Sequence, residues 1–178
     1  MSKPEIVSIV GGGSIGREID LEALSDAIEG QIVSYDPSNW HGLRLRFENT
    51  SPSILMFRSG KYNVAGAVSS QQLYQARDEF LNRLNVLGIS ASDTSFEIYN
   101  YVIQSDFKRE IDLEKALITL GLNNTEYEPE QFSGLLYKPD NSDDTFLIFN
   151  SGKVLLTGVR NAENIEERFI ELDNQLTL

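Results

Sequence analysis

The sequence predicts an α+β fold made of two pseudo-symmetric halves, each an antiparallel sheet with helices on one face. Three observations predict it: an internal duplication, the same order of strand and helix patterns in both halves, and strands that are uncharged on both sides. The 178 residues are enough for one compact domain or two small fused ones. A hydrophobic content of 40% with 24% charged residues is that of an ordinary globular protein.

The duplication is seen when residues 5–67 are aligned with residues 97–159 without a gap. Of these 63 positions 20 are identical, whereas about 4 would match by chance from ordinary composition. Three blocks carry most of the matches: "REIDLE" at 17–22 and 109–114, "YDPSNWHGL" at 35–43 with "YEPEQFSGL" at 127–135, and "LMFRSGK" at 55–61 with "LIFNSGK" at 147–153. A period of about 90 residues is too long for a solenoid unit. We therefore expect two repeats, 1–89 and 90–178, intertwined in one domain.

Each half begins with a strand and continues into a helix. The strands read "EIVSIV" and "EIYNYVI", and Asp20 and Asp112 stand where helix N-caps belong. Apolar residues then recur at the spacing of one helix face: Leu21, Leu24, Ala27 and Ile28 in the first half, and Leu113, Ala116, Leu117 and Leu120 in the second.

Three or four strands follow in each half. They include "GLRLRF", "SILMF" and "YNVAGA", then "GLLY", "TFLIF" and "VLLTGV". An "SGK" turn closes a hairpin in each half, with glycine at the position that needs a positive φ. A second amphipathic helix ends each half, with Ser69 and Asn161 as predicted N-caps. The order β-α-β-β-β-β-α, repeated twice, predicts helices on one face of an antiparallel sheet.

Several of these strands have no charge on either side. In "SILMF", Met56 faces one way while Leu55 and Phe57 face the other, and "TFLIF" repeats the pattern. A sheet with one solvated face should instead alternate apolar and polar residues. Because four helices can cover only one side, the other side is expected to bind a partner. A second sheet, or the other subunit of a homodimer, could also cover it.

The composition excludes several kinds of site. There is no cysteine and His41 is the only histidine, so thiolate zinc sites, disulfides and cysteine nucleophiles are excluded. The sequence offers no nucleophile–base pair and no metal cluster, so we expect neither an enzyme nor a bound cofactor or metal. The opening "MSKPEIVSIV" lacks the apolar run of a signal peptide and no stretch approaches a membrane span. A cytoplasmic protein is expected.

The net charge of −12 argues against nucleic-acid binding, because phosphate contacts need Lys and Arg. The charge is unevenly distributed, however. Residues 1–89 hold 8 basic and 10 acidic side chains, and residues 90–178 hold 7 and 17. Within 40–61, four basic side chains outnumber the single Glu48. The acidic excess elsewhere is typical of solubility or of adaptation to high salt.

Two motifs have ordinary explanations. "GGGSIG" at 11–16 fits a dinucleotide-binding loop, but the predicted helix starts only after Asp20 and antiparallel hairpins follow. Asp140, Asp143 and Asp144 could bind a cation, but a solvated hairpin tip is the better interpretation.

The duplicated blocks resemble the core of TATA-box-binding proteins, particularly the tail-less archaeal form. The resemblance covers about residues 5–176 and rests on "YEPEQF", "LIF" before "SGK", and "TG" in register. It implies a saddle: a curved ten-stranded antiparallel sheet with four helices on its convex face, whose concave side sits in the DNA minor groove and bends the duplex. The departures from the family pattern are concentrated in the first half and indicate a divergent paralogue.

The resemblance also implies a set of contact residues. Four aromatics would intercalate between base pairs: Trp40, Phe57, Phe132 and Phe149. The minor-groove contacts would come from Ser8, Val10, Leu55, Asn63, Ala65, Asn100, Val102, Leu147, Leu155 and Thr157. The phosphate contacts would come from Arg46, Arg58, Lys61, Lys138 and Lys153. Transcription factor B would dock on Glu128, Glu130 and Gln131; the first-half counterparts Asp36, Ser38 and Asn39 match this set less well, so recruitment would be one-sided.

Some of these residues also have purely structural interpretations. Phe57 and Phe149 could belong to a core, Trp40 could be an ordinary half-buried aromatic, and Asn100 could cap a strand end. Arg44 is expected to lie on a solvated strand face.

The expected function is that of a general transcription initiation factor that binds and bends A·T-rich promoter DNA and recruits transcription factor B and RNA polymerase. The alternative is an interaction module or accessory regulator with the same fold and weak DNA binding. Since phosphate attraction is screened within a few ångström at high salt, burial of the aromatics should dominate the affinity. Binding should then depend on salt only weakly, or even strengthen with it.

Overall fold

The computed structural model describes residues 1–48, 52–91 and 95–177. Its chain forms two compact units, one of Ser8–Tyr99 and one of Met1–Val7 with Asn100–Leu178. The described residues form ten strands and four helices, and the strand pairs within each unit are antiparallel. No helix within the described ranges is both long and apolar enough to cross a membrane.

The first repeat contains five strands and two helices. In chain order these are β1 (Glu5–Ser14), α1 (Leu21–Ala27), β2 (Ile32–Tyr35), β3 (Gly42–Arg46), β4 (Ser53–Phe57), β5 (Lys61–Ala67) and α2 (Ser70–Val86). Its strands are hydrogen-bonded in the order β2-β3-β4-β5-β1. The β4–β5 hairpin turns at Gly60, whose φ of 85° is the left-handed conformation that favours glycine.

The second repeat follows the same plan. Its elements are β6 (Glu97–Asp106), α3 (Leu113–Leu120), β7 (Thr125–Glu126), β8 (Gly134–Tyr137), β9 (Thr145–Phe149), β10 (Lys153–Val159) and α4 (Ile165–Gln175). The strand order is β6-β10-β9-β8-β7, and Gly152, with a φ of 88°, closes the β9–β10 hairpin. The predicted order β-α-β-β-β-β-α is thus found in each repeat.

Three of the four predicted N-caps are confirmed. The side chains of Asp20, Ser69 and Asp112 accept hydrogen bonds at 3.0 to 3.2 Å from backbone N–H groups in the first turns of α1, α2 and α3. These N–H groups have no partner within the helix, so the caps fix where the helices start.

The predicted N-cap of the last helix is wrong. Asn161 accepts a hydrogen bond from the backbone N–H of Glu163 at 3.1 Å and closes a local turn. Helix α4 starts only at Ile165, after Asn164 in the left-handed conformation. Asparagine favours such turns over helix continuation, which is why the helix starts later than its sequence pattern indicates.

Burial alternates along the strands of the first repeat. In β4, Ile54 and Met56 are fully buried, while Leu55 and Phe57 between and after them are half-buried. Helix α2 packs on the buried side, where the rings of Tyr62 and Phe80 meet edge to face at 5.1 Å. The strands therefore bury one side against the helices of their own repeat.

The second repeat has the same one-sided core. In β9, Phe146 and Ile148 are buried with Phe169 of α4, while Leu147 and Phe149 are half-buried. The core also includes residues of α3, β8 and β10. On β10 these are Val154, Leu156 and, after an irregularity in the pairing with β6, Val159. The prediction that helices cover one side only is confirmed for each repeat.

The triple glycine lies inside β1 and forms no phosphate loop. A Cβ at Gly11 would come within 2.6 Å of the ring of Phe96, so the missing side chain permits close packing. Since β1 continues to Ser14 and α1 begins only at Leu21, the dinucleotide-binding interpretation is rejected.

We predict a large difference in stability between two adjacent truncations in β9. Ile148→Ala should lower the free energy of unfolding by about 2–5 kcal/mol because Ile148 is fully buried. Leu147→Ala should cost less than half as much, since its side chain is already partly solvated. Urea denaturation measures both, and equal losses would contradict the one-sided core.

Candidate nucleic-acid interface

The open face of each repeat is defined here as the side of its strands opposite the two helices. In the first repeat it includes Ser8, Val10, Gly12, Gly42, Arg44, Arg46, Ser53, Leu55, Phe57, Lys61, Asn63 and Ala65. In the second it includes Asn100, Val102, Gln104, Asp106, Gly134, Leu136, Thr145, Leu147, Phe149, Lys153, Leu155 and Thr157. The predicted minor-groove contacts all fall on these two faces. Arg44 lies there too and is exposed, as expected.

Two aromatic rings meet at one end of the first open face. The rings of Trp40 and Phe57 lie 5.8 Å apart at 71°, an edge-to-face contact. Phe57 pairs in register with Gly42, and a Cβ on Gly42 would come within 2.3 Å of the Trp40 ring. Glycine at this position thus lets the indole lie across the strand, where 40% of Trp40 remains exposed.

The second open face ends in the same arrangement. The rings of Phe132 and Phe149 lie 5.7 Å apart at 67°, and Phe132 is 39% exposed. Gly134 pairs with Phe149, and its Cβ would meet the Phe132 ring at 2.8 Å. Both sets of predicted intercalating residues are therefore adjacent aromatic pairs, outside the cores of their repeats.

Similar turns present the first ring of each pair. In the first repeat the backbone N–H of Trp40 donates to the Asp36 carbonyl at 2.8 Å. In the second, the N–H of Phe132 donates to the Glu128 carbonyl at 2.9 Å. The "YDPSNW" and "YEPEQF" blocks are thus the turns that hold the rings in place.

A hydrogen-bonded amide distinguishes the second open face from the first. Asn100 Oδ1 accepts from the Gly158 backbone N–H at 2.9 Å, and its Nδ2 lies 3.4 Å from Thr157 Oγ1. The side chain therefore bridges to the neighbouring strand rather than capping the end of its own. The corresponding first-repeat residues are Ser8 and Ala65, and the shorter hydroxyl and methyl groups do not form this pair within the described residues.

Five basic side chains were predicted to contact phosphate. Arg46 is half-buried and donates to Ser53 Oγ at 3.0 Å, while its Nε is buried without a hydrogen-bond partner among the described residues. The other four are exposed: Arg58, Lys61, Lys138 and Lys153. None of the five forms an ion pair with another described residue. Their charges are therefore available to a ligand.

A carboxylate lies beside one of these cations. Asp106 pairs in register with Lys153, and the Lys108 backbone N–H donates to its Oδ1 at 2.7 Å. This hydrogen bond lowers the pKa of Asp106, with smaller contributions from the Lys108 side chain and the Lys153 charge. Asp106 thus stays ionised and reduces the positive charge at this edge.

The two turns differ in the number of their carboxylates. Glu128, Glu130 and Gln131 are exposed, and the Gln131 amide donates to Glu128. In the first repeat, Asp36 instead accepts from the side chain and the backbone of Ser38, and these hydrogen bonds lower its pKa. The second-repeat turn therefore presents more negative charge.

The expected solvated tip at the aspartate cluster is wrong for one of its three members. Asp144 is buried and forms an ion pair with Arg168 of α4. A helix that packs beside the hairpin supplies this partner, which strand patterns alone do not predict. The described residues contain no group of three or more acidic or histidine side chains able to hold a metal ion.

Gly12 and Gln104 are among the open-face residues that the sequence did not identify as contacts. They occupy equivalent positions on β1 and β6, and their register partners are Asn63 and Leu155. The alignment of the two repeats already shows that these positions are equivalent. Only the strand register shows that each pairs with another position that differs between the repeats.

Comparison with known proteins places the chain in a family. The family model described as "Transcription factor TFIID (or TATA-binding protein, TBP)" matches residues 3–87 and 95–176. The chain belongs to the TATA-binding protein family. Members of this family are DNA-binding transcription factors and not enzymes.

Several archaeal proteins are similar to the chain. TATA-box-binding protein C of Halobacterium salinarum is 40% identical over 167 residues, covering 93% of this chain and 92% of that protein. TATA-box-binding protein of Haloarcula marismortui is 37% identical over 164 residues, with coverage of 92% and 87%. The structure of Methanococcus jannaschii TBP matches with a TM-score of 0.78 at 33% identity and covers 99% of both chains. These matches confirm the resemblance and the fold class predicted from the sequence.

We predict that Gly42→Ala moves the Trp40 ring away from β3, because the added Cβ would overlap it. Trp40 is the only tryptophan, so its fluorescence reports on this position alone. The emission should shift to longer wavelength as the ring becomes more solvated, while far-ultraviolet circular dichroism stays unchanged. Gly134→Ala is the matched control and should leave the emission unaltered; an unshifted spectrum in Gly42→Ala would contradict the packing.

Proposed function

We propose that this protein is a general transcription initiation factor that binds A·T-rich promoter DNA through the minor groove, bends it, and recruits transcription factor B and RNA polymerase. The observation that carries the proposal is the pair of open faces, each with an apolar floor and, at one end, an aromatic pair with one exposed and one half-buried ring. The family membership supports the same function. Such a protein would act on the nucleoid within the cytoplasm.

The floor of each open face suits a minor groove. Leu55 in the first repeat and Leu147 in the second lie at the centre of their strands. The register partners of Leu55 are Arg44 and Asn63, and those of Leu147 are Leu136 and Leu155. An apolar floor contacts the sugars and base edges without demanding hydrogen-bond partners. A·T pairs present only acceptors in this groove, so a donor such as the Asn100 amide suits them.

The aromatic pairs supply the means of bending. Family members kink DNA by inserting apolar wedges between base steps, which costs a few kcal/mol of unstacking per step. Burying an aromatic side chain contributes about 1.5–3 kcal/mol by transfer from water, so two rings per end can offset that cost. We propose that Trp40 with Phe57, and Phe132 with Phe149, form the two wedges.

The basic side chains would then position the duplex. Arg46, Arg58 and Lys61 border the first open face, and Lys138 and Lys153 border the second. Five such contacts are few for a chain with a net charge of −12. Most of the affinity is therefore assigned to apolar burial, and the cations set the register on the backbone.

Transcription factor B would dock on the second repeat. The turn that holds Phe132 carries Glu128 and Glu130, both exposed, and it would still face outward when the aromatic pair is in the DNA. The equivalent turn of the first repeat carries a single carboxylate, Asp36, and would offer less negative charge. Recruitment through one repeat would give the promoter complex a direction.

A second candidate function is an interaction module or accessory regulator with weak DNA affinity. The observation that favours it is the first open face, where Ser8, Gly12 and Asn63 are smaller than their counterparts Asn100, Gln104 and Leu155. A homodimer that buries the open faces in the absence of DNA is a further proposal consistent with their apolar character. The division into repeats at 1–89 and 90–178 is likewise proposed.

We predict that Phe149→Ala abolishes the gel shift of a pre-bent A·T-rich duplex at concentrations that saturate the unmodified protein. The substitution removes one ring of a wedge and leaves the other without its edge-to-face partner. Ile118→Ala is the control, because Ile118 is 74% exposed on α3, on the opposite side from the open face. If Phe149→Ala binds as well as the control, the interaction module becomes the better interpretation.

We predict that Glu128→Lys combined with Glu130→Lys prevents the supershift by transcription factor B and leaves the binary DNA complex intact. Charge reversal replaces the carboxylates that would meet the partner. The control is Glu163→Lys with Glu167→Lys, an equal charge change at exposed positions near α4 in the same repeat. Equal loss of the supershift in both double variants would show a general charge effect instead.

A further inference from the structure

The two open faces carry their amides on different strands. In the first repeat Asn63 on β5 faces Gly12 on β1, and in the second Leu155 on β10 faces Gln104 on β6. These two register pairs are equivalent. The amide lies on β5 in the first repeat, whereas in the second it lies on β6, the counterpart of β1. The first face has a free amide at a point where the second has a leucine.

The Asn63 side chain is not held by the protein. It is half-buried between Leu55 and Gly12, and its carboxamide makes no hydrogen bond with any other described residue. An amide in this state can present either its oxygen or its nitrogen to a ligand. This contrasts with Asn100, whose Oδ1 already accepts from the Gly158 N–H and which can offer only its Nδ2.

The surroundings of Asn63 leave room beside it. A Cβ on Gly12 would come within 2.9 Å of Asn63 Oδ1 and 3.0 Å of a Tyr99 ring carbon. Glycine thus lets the amide occupy this part of the floor, and the neighbouring open-face residue on β5 is only Ala65. In the second repeat the larger Gln104, Leu155 and Thr157 fill the same region.

The difference between the amides of the two open faces matters because one feature distinguishes G·C from A·T pairs in the minor groove. A·T pairs present two acceptors, whereas G·C adds a donor, the guanine 2-amino group. A fixed donor such as Asn100 Nδ2 suits A·T and opposes that amino group. A free carboxamide can accept from the 2-amino group through Oδ1 and donate to guanine N3 through Nδ2.

We propose that Asn63 is a specificity-determining residue for guanine, so that the preferred DNA element of this protein contains a G·C pair opposite the first open face and A·T pairs opposite the second. This inference rests on the proposed function, because it assumes that the open faces bind the minor groove. The preferred DNA element would then be non-palindromic, because the side chains of the two open faces differ.

The test uses competition binding with an A·T-rich duplex in which each pair in turn is replaced by G·C or by inosine·C. Inosine lacks only the 2-amino group, so the ratio of the two affinities at one position reports on that group. A single net hydrogen bond predicts that the unmodified protein binds the G·C duplex about three- to tenfold better than the inosine duplex at the position under Asn63. Asn63→Leu, which introduces the residue found at Leu155, should lower that ratio to one or below.

Comparing the two proteins on the same duplexes cancels differences in DNA stiffness. Asn82→Leu is the matched control, since Asn82 is an exposed amide on α2, away from the open face, and should keep the ratio of the unmodified protein. Gly12→Ala should lower the ratio by crowding the amide. A ratio at or below one at every position, or an unchanged ratio in Asn63→Leu, overturns the inference while the proposed function stands. Failure to bind even the all-A·T duplex overturns both.

Discussion

Each repeat buries only one side of its strands, and the rest of the account depends on this constraint. Met56 and Ile148 enter cores completed by helices of their own repeat, while Leu55 and Leu147 next to them remain half-exposed. Because side chains alternate along a strand, a fully apolar strand must present half of its apolar surface outside the core. Exposure of that apolar surface to water costs free energy, and binding to a minor groove or to an apolar partner would remove this cost.

The open faces are not equal, and their differences follow from small changes in side-chain size. Gly42 and Gly134 preserve the aromatic pairs in both repeats. Elsewhere the first face has no counterpart of the amide–hydroxyl pair that Asn100 and Thr157 form in the second, but it has the free amide of Asn63. The carboxylates are distributed unequally as well, since 17 of the 27 lie in residues 90–178. The same fold thus combines a nearly symmetric means of bending with an asymmetric chemical surface.

The sequence alone predicted the fold class, the element order and the positions of three helix caps, because these depend on local periodicity and on a duplication that fixes register. It failed where a side chain closes a local turn, or where a contact with another residue decides the outcome. The N-cap of α4 moved from Asn161 to Asn164 because the asparagine closed its own turn, and Asp144 found Arg168 on a helix beside its hairpin. The edge-to-face contact between Trp40 and Phe57 was also not predicted from the sequence, because it depends on the absence of a side chain at Gly42. The roles of the site residues remain predictions.

The central claim is that a duplex occupies the open faces. It is tested most directly by intermolecular nuclear Overhauser effects between a methyl-labelled protein and an unlabelled A·T-rich duplex. The account predicts contacts from the methyl groups of Leu55 and Leu147 to sugar protons of the minor groove, and none from Ile118 or Ile170 on the exposed surfaces of α3 and α4. A stable complex in which the helix methyl groups contact DNA and the leucines do not would contradict it.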